Sequence, residues 1–96
     1  MIFFEKAWGC LAGVAIGDAM GMPVEMLPPE EIERLYGYIN DFVEPPDYHP
    51  SRVLPVGSVT DDTEQTLLIA KVVIDCKGEV TAEAIAEAPE IAAFPP

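Results

Sequence analysis

Basic residues are scarce in this sequence. Its 96 residues include 5 Lys and Arg against 17 Asp and Glu, which gives a formal net charge of −12. Because nucleic-acid affinity rests on Lys and Arg side chains that neutralise phosphates, this balance argues strongly against a nucleic-acid-binding protein. It also argues against docking on anionic lipid. The excess carboxylates therefore either solvate the surface or hold cations.

Cysteine and histidine are also few. The chain has two cysteines, Cys10 and Cys76, and one histidine, His49. The Cys and His spacing of a zinc site is missing. Both cysteines lie in apolar sequence, so we expect two buried, reduced thiols, with one disulfide as the alternative. Reduced thiols are typical of cytosolic proteins, and we therefore predict a cytoplasmic location.

The sequence has no long hydrophobic run. The apolar run that begins at Ala7 ends at Gly17, because Asp18 follows, and it is far shorter than the roughly 20 residues that cross a bilayer. No basic segment leads into it, since Glu5 precedes Lys6, and this is not the pattern of a signal peptide. We expect a soluble protein with no membrane partner.

Helical patterns dominate what is present. Apolar residues at three- to four-residue spacing predict a helix over Phe3–Met20, which Pro23 should end, leaving Met22–Glu25 extended. Residues 38–57 carry four prolines and no period, and loops of that length are often functional. No hairpin pattern occurs, so the fold class is all-α, in one domain over residues 1–96. The other predicted helices are Pro28–Tyr36 closed by Gly37, Asp61–Lys77 closed by Gly78, and Ala82–Ala88 capped by Thr81.

The first helix contains a ladder of glycines at every fourth position. Each glycine costs about 1 kcal/mol of helix stability relative to alanine. Such a ladder predicts a smooth face that another backbone or a ligand approaches closely. We expect tight helix packing at Gly9 and Gly13, and either packing or a ligand at Gly17 and Gly21.

Two acidic clusters lie at predicted helix ends rather than along one helix face. The first is Asp18 with Glu25. In the alternative interpretation, both are ordinary surface acids. The second is the run TDDTE at residues 60–64. In one interpretation Asp61 caps the helix and Glu64 reaches back to it as a capping box. In the other, adjacent carboxylates and hydroxyls bind a hard divalent cation, which prefers oxygen ligands of these kinds.

Three segments together resemble the N-terminal part of the ADP-ribosylglycohydrolase family. They are GVAIGDAMGMPVE at residues 13–25, His49-Pro50, and GSVTDDT at residues 57–63, which an apolar helix follows. The resemblance covers residues 5–80, whereas the tail at residues 89–96 matches nothing. It implies that this chain holds the N-terminal helices of an all-α orthogonal helical bundle.

The resemblance also implies a chemistry. Such a hydrolase cleaves the glycosidic bond between ADP-ribose and a modified protein side chain or small molecule, with a pair of Mg²⁺ or Mn²⁺ ions in the complete fold. Its partners would be ADP-ribosylated proteins or small molecules that contain ADP-ribose. By position in the motifs, the candidate residues are Glu25 as the catalytic acid, Thr60, Asp61 and Asp62 as metal ligands, and Gly17, Asp18 and Gly57 as support of the site.

One departure from the family concerns the second half of the metal site. Members are several times longer and carry an Asp-x-Asp-Thr run near their C-terminus, which this sequence lacks. We therefore expect the chain alone to hold about half of a metal site and to be inactive. The alternatives are a non-enzymatic helical remnant that binds a cation weakly, or an acidic interaction module. Because the predicted helix over Asp61–Lys77 is apolar nearly all round, we also expect self-association or a molten monomer.

Overall fold

The computed structural model describes residues 2–89, and this part of the chain contains helices and no strand. The all-α prediction is therefore confirmed for the described residues. The predicted tail at residues 89–96 lies outside them, apart from Pro89. The elements are α1 (Ile2–Gly21), a first 3₁₀ helix (Met22–Val24), α2 (Pro29–Tyr36), a second 3₁₀ helix (Pro50–Val53), α3 (Asp61–Asp75) and α4 (Ala82–Glu87).

The chain divides into two compact units between Thr63 and Glu64. The first unit contains α1, both 3₁₀ helices, α2 and the first residues of α3, and the second contains the rest of α3 with α4. The prediction of a single domain over residues 1–96 stays a prediction.

The buried centre of the first unit lies where α1 passes into the first 3₁₀ helix. Ala19, Met22 and Pro23 are nearly inaccessible to solvent there. The extended conformation predicted for Met22–Glu25 is wrong at its first three residues. Pro23 falls in the first turn of the 3₁₀ helix, where its fixed φ suits the helix and its missing N–H is not needed.

The tight packing predicted at Gly9 and Gly13 is not found among the described residues. Apart from the adjoining residues and the backbone of α1 itself, no described atom lies within 4 Å of a Cβ built at either glycine, and the same holds for Gly17 and Gly21. Within the first unit the glycine face of α1 is therefore open.

The stretch Phe3–Val24 is long enough and apolar enough to cross a membrane, by length and composition only. The sequence analysis predicted a shorter apolar run. Core helices of soluble proteins and signal sequences meet the same criterion. Only 17% of the apolar window is buried, and Phe3, Phe4 and Trp8 are among the exposed side chains. This exposed surface is consistent with the expected self-association, which stays a prediction.

The side chain of Arg52 holds together the proline-rich loop over residues 38–57. Arg52 donates to the Pro45 carbonyl at 2.9 Å and pairs with Glu44 at 3.2 Å. The Tyr36 hydroxyl donates to the carbonyl of the same Glu44. The loop is thus irregular as predicted, except for the 3₁₀ helix over Pro50–Val53.

In the second unit, α3 ends two residues earlier than predicted. Lys77 has φ of +53°, its N–H donates to the Ile74 carbonyl, and the Gly78 N–H donates to the Val73 carbonyl. This pattern is a Schellman motif in which Lys77 takes the first left-handed position after the helix, and Gly78 follows it with φ of +86°. The prediction for α4 is confirmed at its start, since the Thr81 hydroxyl accepts from the Ala84 N–H at 3.0 Å.

Candidate functional site

The Asp18 carboxylate joins the end of α1 to the start of α3. The Thr60 N–H donates to Asp18 Oδ2 at 2.7 Å, and the Thr60 hydroxyl donates to Oδ1 at 2.7 Å. The Thr63 N–H and hydroxyl both donate to Oδ2, at 3.2 and 2.6 Å. Asp18 is half-buried and Thr63 is buried, so this contact is an internal part of the first unit.

These four donors explain the protonation behaviour of Asp18. Desolvation by itself would raise the pKa of the carboxyl, but hydrogen bonds from the Thr63 hydroxyl, the Thr60 N–H and hydroxyl and the Thr63 N–H lower the pKa below its ordinary value of 3.8. The partial positive charge at the N-terminus of α3 acts in the same direction. Asp18 is therefore a carboxylate at neutral pH.

Thr60, rather than Asp61, is the N-cap of α3. The Asp62 N–H donates to the Thr60 hydroxyl at 3.2 Å, and the Thr63 N–H is taken by Asp18 from outside the helix. The capping role considered for Asp61 is thus wrong, because Asp61 is already the first helical residue. The two central acids of the TDDT run are consequently not needed to cap the helix.

An open cavity of about 410 Å³ lies beside this contact. The glycine face of α1 forms one wall, and three acidic residues line the cavity together with Val14 and Met22. The glycines are Gly13, Gly17 and Gly21, and the carboxylates belong to Asp18, Glu25 and Asp62. The structure thus brings together four of the predicted site residues: Gly17, Asp18, Glu25 and Asp62.

The remaining predicted site residues lie around this cavity rather than in its wall. Thr60 is half-buried against Asp18, and Asp61 is exposed. Gly57 has φ of +84° and forms the bend before the TDDT run, a conformation that favours glycine. It is therefore placed to direct the chain into α3 and not to contact a ligand in the cavity.

A hard divalent cation is bound by six or more oxygens, several of which are often water. The carboxylate oxygens of Glu25 and Asp62 fit such a cation in kind. They fall short in number, because no three Asp, Glu, His or Cys side chains of residues 2–89 are grouped as a metal site. The residues present therefore fit part of a ligand set.

A model of the ADP-ribosylglycohydrolase family matches residues 1–92 of the chain. The chain belongs to this family. The resemblance seen in the motifs is thereby confirmed, and the helical fold of the described residues agrees with it.

Three known proteins are similar to part of this chain. An uncharacterized protein of Archaeoglobus fulgidus is 45% identical over 71 residues, which is 74% of this chain and 22% of that protein. The ADP-ribosylarginine hydrolase Tri1 of Serratia proteamaculans is 40% identical over 67 residues, or 70% of this chain and 16% of that enzyme. The uncharacterized protein YegU of Escherichia coli is 32% identical over 82 residues, or 84% of this chain and 25% of YegU.

The chain therefore spans a quarter or less of the length of these relatives. No solved structure matches it.

Two residues of the site were not singled out from the sequence. Thr63 stands in the TDDT run, and its hydroxyl makes the shortest of the four bonds to Asp18. His49 is buried behind Glu25, and its Nε2 lies 2.8 Å from the Glu25 carbonyl oxygen. The only signal for His49 was its place in the His-Pro pair of the family motif.

The contact of Asp18 predicts a pH-dependent loss of stability. In Asp18→Asn, an amide group replaces a charged acceptor, so we expect the free energy of unfolding at pH 7 to fall by about 2 kcal/mol. Because the folded-state pKa of Asp18 is lowered, its contribution is complete above the ordinary value of 3.8 and is lost as the pH falls through the folded-state pKa. Urea unfolding at a series of pH values measures both effects.

The control for this prediction is Asp47→Asn, which removes the same charge from a side chain that is 95% exposed and makes a surface ion pair with Arg52 at 3.5 Å, a kind of pair that contributes little to stability. Its stability should follow that of the parent at every pH. The role given to Asp18 is wrong if Asp18→Asn matches this control, or if the deficit of Asp18→Asn persists unchanged at the acid end of the series.

Proposed function

We propose that this chain is the N-terminal part of a cytoplasmic, metal-dependent hydrolase that releases ADP-ribose from a modified protein side chain or small molecule. One observation carries the proposal: the cavity beside the Asp18 contact combines an open glycine face with the carboxylates of Glu25 and Asp62. Family membership and the name of the Serratia relative support the same class of reaction. The chain by itself is proposed to be inactive.

In this reaction the bond between C1 of the ribose and the nitrogen or oxygen of the acceptor breaks. Positive charge develops on the ribose ring in the transition state, and a nearby carboxylate stabilises it. Glu25 is the proposed carboxylate, since it is exposed and lines the cavity. Water supplies the hydroxyl that C1 gains, and its proton goes to the departing acceptor.

Asp18 is proposed to hold the turn that carries the metal ligands, and not to contact the substrate. Its oxygens accept four hydrogen bonds from Thr60 and Thr63, so the turn that carries Asp61 and Asp62 is fixed relative to the end of α1. A bound Mg²⁺ or Mn²⁺ would fix the ribose hydroxyls and lower the pKa of the attacking water. Asp62 with Thr60 and Asp61 is the proposed contribution of this chain to that site.

The proposed metal half-site predicts weak binding that depends on two acids. About three protein oxygens can come from the TDDT run, so Mn²⁺ should bind weakly and keep most of its water. Asp61→Asn combined with Asp62→Asn should abolish that binding in a calorimetric titration. The double variant Glu30→Gln, Glu33→Gln removes the same charge from α2 and should bind Mn²⁺ as the parent does. Equal loss in both double variants would indicate attraction by net charge alone.

Alanine substitutions on the glycine face of α1 should have the same effect on helix stability but different effects on ADP-ribose binding. Gly17→Ala and Gly9→Ala should each stabilise α1 by about 1 kcal/mol, because both glycines are helical and nothing obstructs the new methyl group. Of these two glycines only Gly17 lines the cavity, so the methyl group of Gly17→Ala should lower the affinity for ADP-ribose by about tenfold, or 1.4 kcal/mol. The measurement is a titration of ADP-ribose with Mn²⁺ present, followed by amide NMR shifts. Equal affinity in the two variants would contradict a ligand on this face.

The decisive prediction concerns Glu25 in a complete enzyme. A chimera in which the aligned residues of this chain replace their 67 counterparts in the Serratia hydrolase supplies the missing segments. Glu25→Gln should lower the rate of ADP-ribose release by at least about a hundredfold, while ADP-ribose affinity changes little, because the carboxylate acts on the transition state.

The matched control for Glu25→Gln is Glu30→Gln, which alters an exposed acid of α2 away from the cavity. It should release ADP-ribose at the rate of the unaltered chimera. Normal release by Glu25→Gln would remove Glu25 from the mechanism.

A further inference from the structure

The segment that carries Glu25 is a type II turn with a methionine in the glycine position. The Leu27 N–H donates to the Val24 carbonyl at 3.0 Å and closes the turn. Glu25 has φ of −56° and ψ of 134°, and Met26 has φ of +68°. These angles are those of a type II turn, which requires positive φ at its third residue and normally places glycine or asparagine there.

Met26 receives no compensation from packing. Its side chain is 95% exposed, so burial does not stabilise the left-handed backbone. A residue with a Cβ disfavours this conformation, and a type I turn would avoid it. Types I and II differ mainly in the orientation of the central peptide, here the one between Glu25 and Met26. Something must therefore hold that peptide in the type II orientation.

His49 contacts that same peptide. The ring is buried, and Nε2 lies 2.8 Å from the Glu25 carbonyl oxygen. Nδ1 accepts from the Ser51 N–H at 3.1 Å. Because a backbone N–H only donates, Nδ1 carries no proton in this arrangement, and the Nε2–H donates to the Glu25 carbonyl.

His49 is itself held through both its ring and its backbone. Its Nδ1 caps the second 3₁₀ helix through Ser51, and the His49 N–H donates to the Pro46 carbonyl at 2.9 Å. The donor to Glu25 therefore belongs to the ordered proline-rich loop, 24 residues further along the chain.

We propose that His49 is a positioning residue that keeps the Glu25–Met26 peptide in the type II orientation. Its consequence for catalysis rests on the proposed function of Glu25. Rotation of this peptide would turn the Glu25 carbonyl away from His49 and change ψ of Glu25, and side-chain rotamers depend on ψ. His49 thereby restricts the conformations that the Glu25 carboxylate adopts at the cavity.

The test is a double-variant cycle on the 96-residue chain. His49→Asn keeps a short side chain that can cap Ser51 but does not extend to the Glu25 carbonyl. Met26→Gly removes the energetic cost of a positive φ at this position of the type II turn. The readout is the ratio of two NMR cross-relaxation signals of the Met26 amide proton, one from Glu25 Hα and one from the Glu25 amide proton. The first is stronger in a type II turn and the second in a type I turn.

We expect the Hα signal to dominate in the parent, the amide signal to dominate in His49→Asn, and the Hα signal to return in the double variant. Where His49→Asn fails to fold, recovery of folding in the double variant supports the proposal. A parent-like ratio in His49→Asn overturns it, and so does a double variant that remains of type I or unfolded. These signals require neither metal nor ADP-ribose, so a chimera that releases no ADP-ribose would count against the proposed function and not against the role of His49.

Discussion

The contact between Asp18 and the start of α3 is the interaction on which the candidate site depends. Asp18 lies in the last turn of α1, where the helix dipole disfavours a negative charge. That cost is offset by four donors from Thr60 and Thr63, which lie at the N-terminus of another helix. One carboxylate therefore accepts the Thr63 N–H in the first turn of α3, holds its N-cap Thr60, and fixes Asp62 in the wall of the same cavity as Glu25.

Local patterns made the helices predictable, but they did not make the contacts of the site predictable. Thr81 and Gly37 are found where cap chemistry placed them. Asp61 was the expected cap, but Thr60 holds that position, and its hydroxyl donates to Asp18, which lies 42 residues before it. No local spacing carries that information. The motif resemblance brought Asp18 and the TDDT run into one hypothesis, whereas the geometry of the bond came only from the fold.

Errors at the ends of the predicted elements share one physical cause. The left-handed backbone at Lys77 and the 3₁₀ turn at Pro23 are both permitted by local rules. The expected alternatives satisfied those rules equally well. What decides between them is which backbone groups find partners, such as the Gly78 N–H with the Val73 carbonyl. Such choices are made by small energy differences that composition does not reveal.

Charge links the cavity to its proposed ligand. Arg34, Arg52 and Lys71 pair with glutamate or aspartate side chains elsewhere, whereas Asp18 is stabilised by N–H and O–H dipoles that leave its negative charge in place. ADP-ribose itself carries a diphosphate, which a chain of net charge −12 repels. If the proposed function holds, a divalent cation must therefore do more than activate water. It must also reduce the repulsion between the carboxylates that line the cavity and the anionic substrate they are proposed to cleave.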